Sequence, residues 1–290
     1  MIDFTNVIDI MLGQNQVTQI EDSLGNVLWS ATPAAEYFYV EDISGSDNTL
    51  SIIKEASSIP DAEIFKSTDQ TNWTSMGTTS TTAITATVPA NGKLYLKAVT
   101  SGLGNGLYNG TNISCSGNFN VGGYLTSLVF GDNFEPNTLT GKTEQTFYNL
   151  FKNNVNLISA GSLIMPTTSQ RRCYGRMFYG CTSLTTAPVL KKTAVTQACF
   201  AGMFEGCTAL TTAPALPATK LVTECYSGMF KNCTLINSIT TYANNISATD
   251  CLANWLSGVA ATGDFYNLGG ATYTSGASGI PSGWTEHTSL

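Results

Sequence analysis

Cysteine is the residue type with reactive chemistry that recurs most regularly in this sequence. Cys173, Cys199 and Cys225 lie 26 residues apart, and a second cysteine follows each of them eight residues later. On a helix, residues eight apart are separated by about 12 Å, which is too far for a disulfide. The sequence has no Cys-x-x-Cys pair, and its one histidine, His287, lies near the C-terminus, so zinc-ligand spacing is missing. We interpret the cysteines as buried thiols, with disulfides as the alternative.

Charged side chains are scarce. They make up 11% of the sequence, against about 25% in an average protein, and the net charge is −7. The one dense basic group, Arg171, Arg172 and Arg176, is interpreted as the solvated start of a helix, with a phosphate or glycan contact as the alternative. Scattered basic residues in an acidic chain argue against nucleic-acid binding. We predict no nucleic-acid partner, no cofactor and no metal.

Paired carboxylates are the remaining route to catalysis. A glycan-cleaving enzyme requires two carboxyl groups on one exposed face. The repeats described below contain only Glu205, Glu224 and Asp250 for this purpose. A single histidine also removes most general acid-base chemistry. We therefore predict that the protein is not an enzyme, with a depolymerase as the alternative.

A 26-residue repeat must position most of these side chains. Three copies align without gaps, and degenerate copies precede and follow them, with Leu150-Phe151 and Trp255-Leu256 at the Met-Phe position. Apolar residues fall at i, i+1, i+4, i+5 and i+8, which is one face of a helical wheel. A Leu-Thr-Thr-Ala-Pro run then alternates like a strand before proline ends it. One short helix and one short strand per copy is the plan of a leucine-rich-repeat solenoid.

The register of the repeat also predicts a core and a candidate contact surface. Stacking places equivalent apolar residues in columns, and hydroxyl groups beside the leucine column face solvent. The predicted ligand contacts are Thr185, Thr186, Thr211 and Thr212. The predicted repeat core consists of Cys173, Met177, Phe178, Cys181, Leu184, Cys199, Met203, Phe204, Cys207, Leu210, Cys225, Met229, Phe230, Cys233 and Ile236.

Upstream of the repeats, short alternating runs separated by turn signals predict β-strands. The predicted fold class is a multidomain, β-rich protein with an N-terminal β arm, a small Ig-like β-sandwich and a C-terminal α/β leucine-rich-repeat solenoid. The predicted boundaries are 1–31 for the arm, 36–101 for the sandwich, 102–145 for a linker and β cap, 146–263 for the repeats and 264–290 for a C-terminal cap.

Membrane and export signals are weak. No apolar run approaches the roughly 18 residues of a membrane span, so membrane insertion is not predicted. Asp3 and Asp9 lie where a secretory signal has basic residues, so we expect no export by a cleaved signal.

The repeat Cys-Tyr-x-x-Met-Phe-x-Gly-Cys-Thr-Ser-Leu-Thr-Thr-Ala-Pro resembles the BspA-like leucine-rich repeats of bacterial surface proteins and of phages that infect gut Bacteroidales. The opening, from Val17 to Trp29, is similar to the start of phage structural proteins. The resemblance implies adhesion or display at a surface. The expected protein is a virion tail- or head-fibre component, a homo-oligomer that contacts other virion proteins through its N-terminal part and a host-surface glycan or protein through its repeats. A bacterial cell-surface adhesin is the alternative.

Overall fold

The computed structural model describes residues 11–12, 15–16, 19–21, 27–30, 36–57, 61–99, 110–134, 139, 144–168 and 170–290. The chain divides into two units, Met1–Glu36 and Tyr37–Leu290. In the first unit two antiparallel strand pairs are present, one formed by β1 (Met11–Leu12) and β2 (Asn15–Gln16), the other by β3 (Gln19–Glu21) and β4 (Val27–Ser30).

Two sheets open the second unit, and we call them together the sandwich. The strands are β5 (Tyr39–Asp42), β6 (Asn48–Lys54), β7 (Glu63–Ser67), β8 (Thr74–Thr78), β9 (Ile84–Val88), β10 (Lys93–Val99), β11 (Thr111–Cys115), β12 (Phe119–Tyr124) and β13 (Leu157–Ile164). One sheet has the order β13-β12-β5-β10-β7-β8, and the other has the order β11-β6-β9. Strand β6 illustrates the alternation of these strands: Leu50 and Ile52 are buried, and Ser51 between them is more exposed. The buried residues of both sheets belong to one hydrophobic cluster.

Two features of the sandwich differ from the predictions. Strands β11 and β12, from the segment predicted as linker and β cap, pair with β6 and β5. Strand β13, from the first degenerate copy, joins β12 in parallel and so connects the repeats to the larger sheet. An Ig-like sandwich has antiparallel sheets, so this parallel pair departs from that part of the predicted fold class.

The prediction of an α/β leucine-rich-repeat solenoid is wrong. The only α-helix among the described residues is α1 (Ser127–Phe130), which lies before the repeats and leads into a 3₁₀ turn, Gly131–Asn133. The segments predicted as helices are instead runs of turns. The protein is therefore β-rich, and its repeats consist largely of turns instead of the predicted helical half.

The backbone of the copies explains why no helix forms. Met177 donates its N–H to the Tyr174 carbonyl at 3.2 Å within its own copy, whereas Phe178 donates to Met203 of the next copy at 2.9 Å. The N–H groups thus alternate between bonds inside a copy and bonds between copies. Three residues per copy, spaced four apart, also have positive φ, which an α-helix excludes. They are Gln145, Asn149, Asn153, Arg172, Arg176, Gly180, Ala198, Gly202, Gly206, Glu224, Gly228, Asn232, Asp250, Asn254 and Gly258.

The apolar pattern could not distinguish these two backbones. It repeats every four residues, and over nine residues a helix with 3.6 residues per turn accommodates it equally well. The distinguishing signal was residue type at every fourth position. Glycine, asparagine or aspartate occupies ten of the fifteen left-handed positions, and these types adopt that conformation most readily.

The side chains of neighbouring copies stack in columns. Phe151, Phe178, Phe204 and Phe230 form one column with ring centroids 5.4 to 5.6 Å apart. A second aromatic column runs beside it from Phe147 to Tyr226. After the last copies, β14 (Ser238–Thr241), β15 (Gly263–Asn267) and β16 (Trp284–His287) form a parallel sheet. The repeat core is thus built from equivalent side-chain layers.

Candidate functional site

Among the open clefts on the surface of the stacked copies, two are lined by equivalent residues of successive copies. The first, which we call the threonine cleft, has a volume of about 650 Å³. Two consecutive copies line it with the same run, Thr-Thr-Ala-Pro. All four threonines predicted as ligand contacts are exposed and line this cleft: Thr185, Thr186, Thr211 and Thr212.

The threonines of this cleft differ in how they contact the fold. The N–H and hydroxyl of Thr185 both donate to the carbonyl of Ile158, at 2.8 and 3.0 Å, so Thr185 helps to join two copies. Thr186 forms a β-bridge with Ser159 through its backbone. Val189, also in the cleft, is 62% exposed. The cleft therefore combines hydroxyl groups with an apolar wall.

The second cleft, which we call the ionic cleft, has a volume of about 380 Å³ and spans several copies. It contains an unusual share of the charged residues of a chain in which only 11% are charged. The lining side chains with charge or aromatic character are Tyr148, Arg172, Arg176, Glu205, Glu224 and Lys231.

Small residues also line the ionic cleft at equivalent positions of the copies. Gly175, Ala201, Ser227 and Ala253 follow one another at the repeat interval. The carbonyls of the last three accept ladder bonds from Arg176, Gly202 and Gly228, at 2.8 to 2.9 Å. Because these positions carry short side chains, they leave open space between the longer charged side chains of the cleft.

Charged groups of successive copies meet in this cleft. The Lys231 ammonium donates to the Glu205 carboxylate at 2.9 Å, and this hydrogen bond raises the pKa of Lys231. A Cβ atom on Gly202 would lie 3.2 Å from Arg176 Cγ and 3.4 Å from Glu205 Oε2. The Arg176 and Glu205 side chains therefore converge above Gly202, where a larger residue would displace them.

The basic group Arg171, Arg172 and Arg176 is divided by the fold. Arg171 pairs with Glu144 at 3.1 Å and does not line the cleft. Arg172 and Arg176 do line it, and neither has a carboxylate partner at ion-pair distance among the described residues. The Arg176 guanidinium lies 5.5 Å from the centre of the Tyr179 ring. Two arginines thus line an open cleft without forming an ion pair with either glutamate of that cleft.

The structure places every residue of the predicted repeat core in the interior. All eight cysteines are free and buried. The predicted helices that contain most of them are absent from the described residues, and those cysteines lie in or next to runs of turns instead. Cys181 and Cys207 donate their S–H groups to carbonyls of the preceding copy, at 3.0 and 3.1 Å. Burial raises the pKa of Cys173 and of Cys181 to about 12. Since the thiolate is the nucleophile, these thiols are unreactive near neutral pH.

Sequence reasoning missed the ionic cleft as a whole. It considered Glu205 and Glu224 as carboxylates and the arginines as a separate basic group. The repeat register was the available signal, because Glu205 and Lys231 occupy the same position in adjacent copies. Elsewhere His287 pairs with Asp264 at 2.7 Å in the C-terminal sheet.

Within the described residues, no group of three potential ligand side chains is arranged to hold a metal ion. The same residues include no helix with the length and apolar character needed to cross a membrane. Comparison with known proteins finds no matching family model, no matching curated protein and no matching solved structure. The resemblance to BspA-like repeats therefore has no support beyond the motif itself.

Proposed function

We propose that this protein is a non-enzymatic virion component that attaches through its N-terminal part and displays its repeats to a glycan or protein of the host surface. The observation that carries the proposal is the threonine cleft, where two copies present equivalent hydroxyl groups beside an apolar wall. A few convergent polar groups in a mainly apolar concavity are typical of ligand sites. Uncharged hydroxyls suit a neutral glycan in particular.

The division of the chain supports the separation of attachment from display. Met1–Glu36 forms one unit and Tyr37–Leu290, which contains the repeats, forms the other. An attachment part and a display part require such a division. We include a homo-oligomeric state in the proposal, since most soluble assemblies are symmetric homo-oligomers.

The attachment part of the proposal is tested on particles. Virions purified from an infected culture should contain this chain at a constant ratio to the major structural proteins, as measured by quantitative mass spectrometry. Recovery of the chain from the surface fraction of uninfected cells, and its absence from particles, would establish the adhesin alternative instead.

The display part is tested through the cleft. The full-length chain, labelled with a fluorophore, should bind surface polysaccharide extracted from host cells. Replacing Thr186 and Thr212 by valine keeps their shape and removes two hydroxyls, so we expect roughly tenfold weaker binding from the lost hydrogen bonds. Thr182→Val, at an exposed position outside the cleft, is the matched control. Equal binding by all three proteins would contradict the role of the threonine cleft.

Glycan cleavage is a second candidate because Glu205 and Glu224 both line the ionic cleft. Glycoside hydrolysis needs one protonated and one ionised carboxyl group. The Glu205 carboxylate is already paired with the Lys231 ammonium, which opposes the role of proton donor. Release of reducing ends from host polysaccharide by the purified chain, abolished by Glu205→Gln or Glu224→Gln, would establish this candidate.

A further inference from the structure

We propose that the ionic cleft is a second binding site, which holds the carboxylate of an acidic saccharide between Arg172 and Arg176. The site is distinct from the threonine cleft in both residues and chemistry. The inference rests on the proposed function only in its choice of a saccharide as the ligand. The anion site itself follows from the arrangement of charges.

The first argument is that the two arginines do not stabilise the fold through ion pairs. Arg172 and Arg176 have φ angles of 54° and 52°, in a region that favours glycine. Arg171, in contrast, is paired with Glu144. Arg172 and Arg176 instead line an open cleft and form no ion pair with a carboxylate among the described residues.

The second argument concerns the kind of anion. A guanidinium group offers a planar pair of N–H donors that matches a carboxylate. Glu205 and Glu224 line the same cleft, so a ligand dense in negative charge, such as a nucleic acid or a polysulfate, is repelled. A ligand with one carboxylate per sugar unit satisfies the arginines and still leaves room for hydroxyl groups near the two glutamates.

The third argument is that the rest of the cleft suits a sugar. Lys231 neutralises Glu205, and a paired carboxylate still accepts hydrogen bonds from hydroxyl groups. Glu224 supplies a second acceptor, and Tyr148 supplies an aromatic side chain at the end nearest Gly175. Small side chains in between leave space for a ring to lie across the copies.

The test is a calorimetric titration of the full-length chain with a trimer of galacturonic acid, with the neutral galactose trimer as the reference. We expect the uronate to bind and the neutral trimer to bind at least tenfold more weakly. The double variant Arg172→Gln/Arg176→Gln should lower uronate affinity at least tenfold, since it removes charge-assisted hydrogen bonds. Arg171→Gln, which neighbours the cleft but does not line it, should stay within twofold of wild type. Raising the salt concentration should weaken the uronate complex.

Several outcomes overturn the proposal. They are equal affinity for both trimers, an unchanged affinity in the double variant, or an equal loss in Arg171→Gln. A sulfated trisaccharide or inorganic phosphate that binds as tightly as the uronate, and depends on the same arginines, overturns the preference for carboxylate. If the glutamine variant does not fold, Arg172→Lys/Arg176→Lys is the second variant. It keeps the charge and removes the planar fork, so the uronate should bind it more weakly than wild type, and an unchanged affinity would overturn the proposal.

Different experimental results would contradict the proposed function and this inference. The valine variant at Thr186 and Thr212 should keep wild-type affinity for the uronate trimer. Loss of host-polysaccharide binding in the valine variant alone supports the proposed function without bearing on the arginines. Uronate binding without any effect of the valine variant on host polysaccharide supports the ionic cleft and contradicts the role of the threonine cleft.

Discussion

The sandwich and the stacked copies use their charged side chains in opposite ways. In the sandwich, the buried Lys97 ammonium lies 4.3 Å from the centre of the Trp73 ring and bonds to Asp132 at 2.5 Å. Asp42, buried at the end of β5, accepts bonds from backbone N–H groups of two turns. In the copies, Arg172 and Arg176 form no ion pair with a described carboxylate and line an open cleft.

The difference follows from which acceptors the backbone N–H groups of each region use for their hydrogen bonds. Antiparallel strands leave turns with free N–H groups, and carboxylates at the strand ends accept from them. In the copies, bonds within a copy and to the next copy satisfy the N–H groups regularly. The backbone of the copies therefore does not depend on charged side chains for its hydrogen bonds.

The largest expected effect is on the free energy of unfolding when one ion pair of each region is broken, Lys97–Asp132 in the sandwich and Lys231–Glu205 in the copies. Asp132→Asn should lower the free energy of unfolding by about 2 kcal/mol, because the buried Lys97 ammonium loses a charged hydrogen-bond partner. The hydrogen bond from Lys97 also lowers the pKa of Asp132. Glu205→Gln leaves behind Lys231, whose side chain is 42% exposed and therefore stays hydrated, so this change should lower the free energy of unfolding by less than about 1 kcal/mol. Urea denaturation of both variants measures the difference. Equal losses would mean that the two regions do not differ in this respect.

A smaller effect on the free energy of unfolding is expected when glycine replaces a residue of the copies that has positive φ. Its sign is opposite to that of a glycine substitution in a helix. Glu224 has a φ of 58°, so Glu224→Gly should raise the free energy of unfolding by about 1 kcal/mol through relief of strain. In a helix the same change would lower it, and alanine would be the better residue. The matched variant is Glu224→Ala, which keeps the strain. Should alanine prove more stable than glycine by thermal melting, the left-handed backbone of the copies would be contradicted.

The last effect is a dependence of stability on pH, and it concerns Asp42 of the sandwich. Burial alone raises the pKa of this carboxyl, but hydrogen bonds from Ser44, Asn91 and Gly45 outweigh burial and lower the pKa to about 2. A depressed pKa in the folded state stabilises the fold above the unfolded value near 4, and this contribution is lost as the pH falls from about 4 to about 2.

The measurement is the melting temperature as a function of pH. The wild-type protein should lose more stability across that pH window than Asp42→Asn, in which the titrating group is gone. Asp250→Asn, at an exposed position of the copies, should follow the wild-type curve. Parallel curves for wild type and Asp42→Asn would show that Asp42 does not stabilise the sandwich through its charge.

Part of the fold could be predicted from the sequence. The spacing of Cys173, Cys199 and Cys225 indicates stacked copies with buried thiols, and those thiols are buried. The helix assigned to the same residues is wrong, because side-chain spacing reports which residues face inward and not how the backbone bonds are made. The parallel pairing of β12 with β13 depends on residues far apart in the sequence and has no local signal.

The two clefts also differ in whether the sequence indicates them. The threonine cleft follows from a contiguous run repeated in two copies, so the sequence indicated its residues. The ionic cleft requires Arg176, Glu205 and Lys231 from three copies to meet, and each of them alone is an ordinary surface residue.

By itself, the sequence determined the 26-residue period, the inward-facing residues and the scarcity of charge, because these depend on residue type and order. Only the tertiary structure decided that the backbone alternates its bonds between copies and that scarce charges gather above Gly202. Hydrogen bonds between copies join residues about 26 positions apart, and their geometry exists only after the copies have stacked.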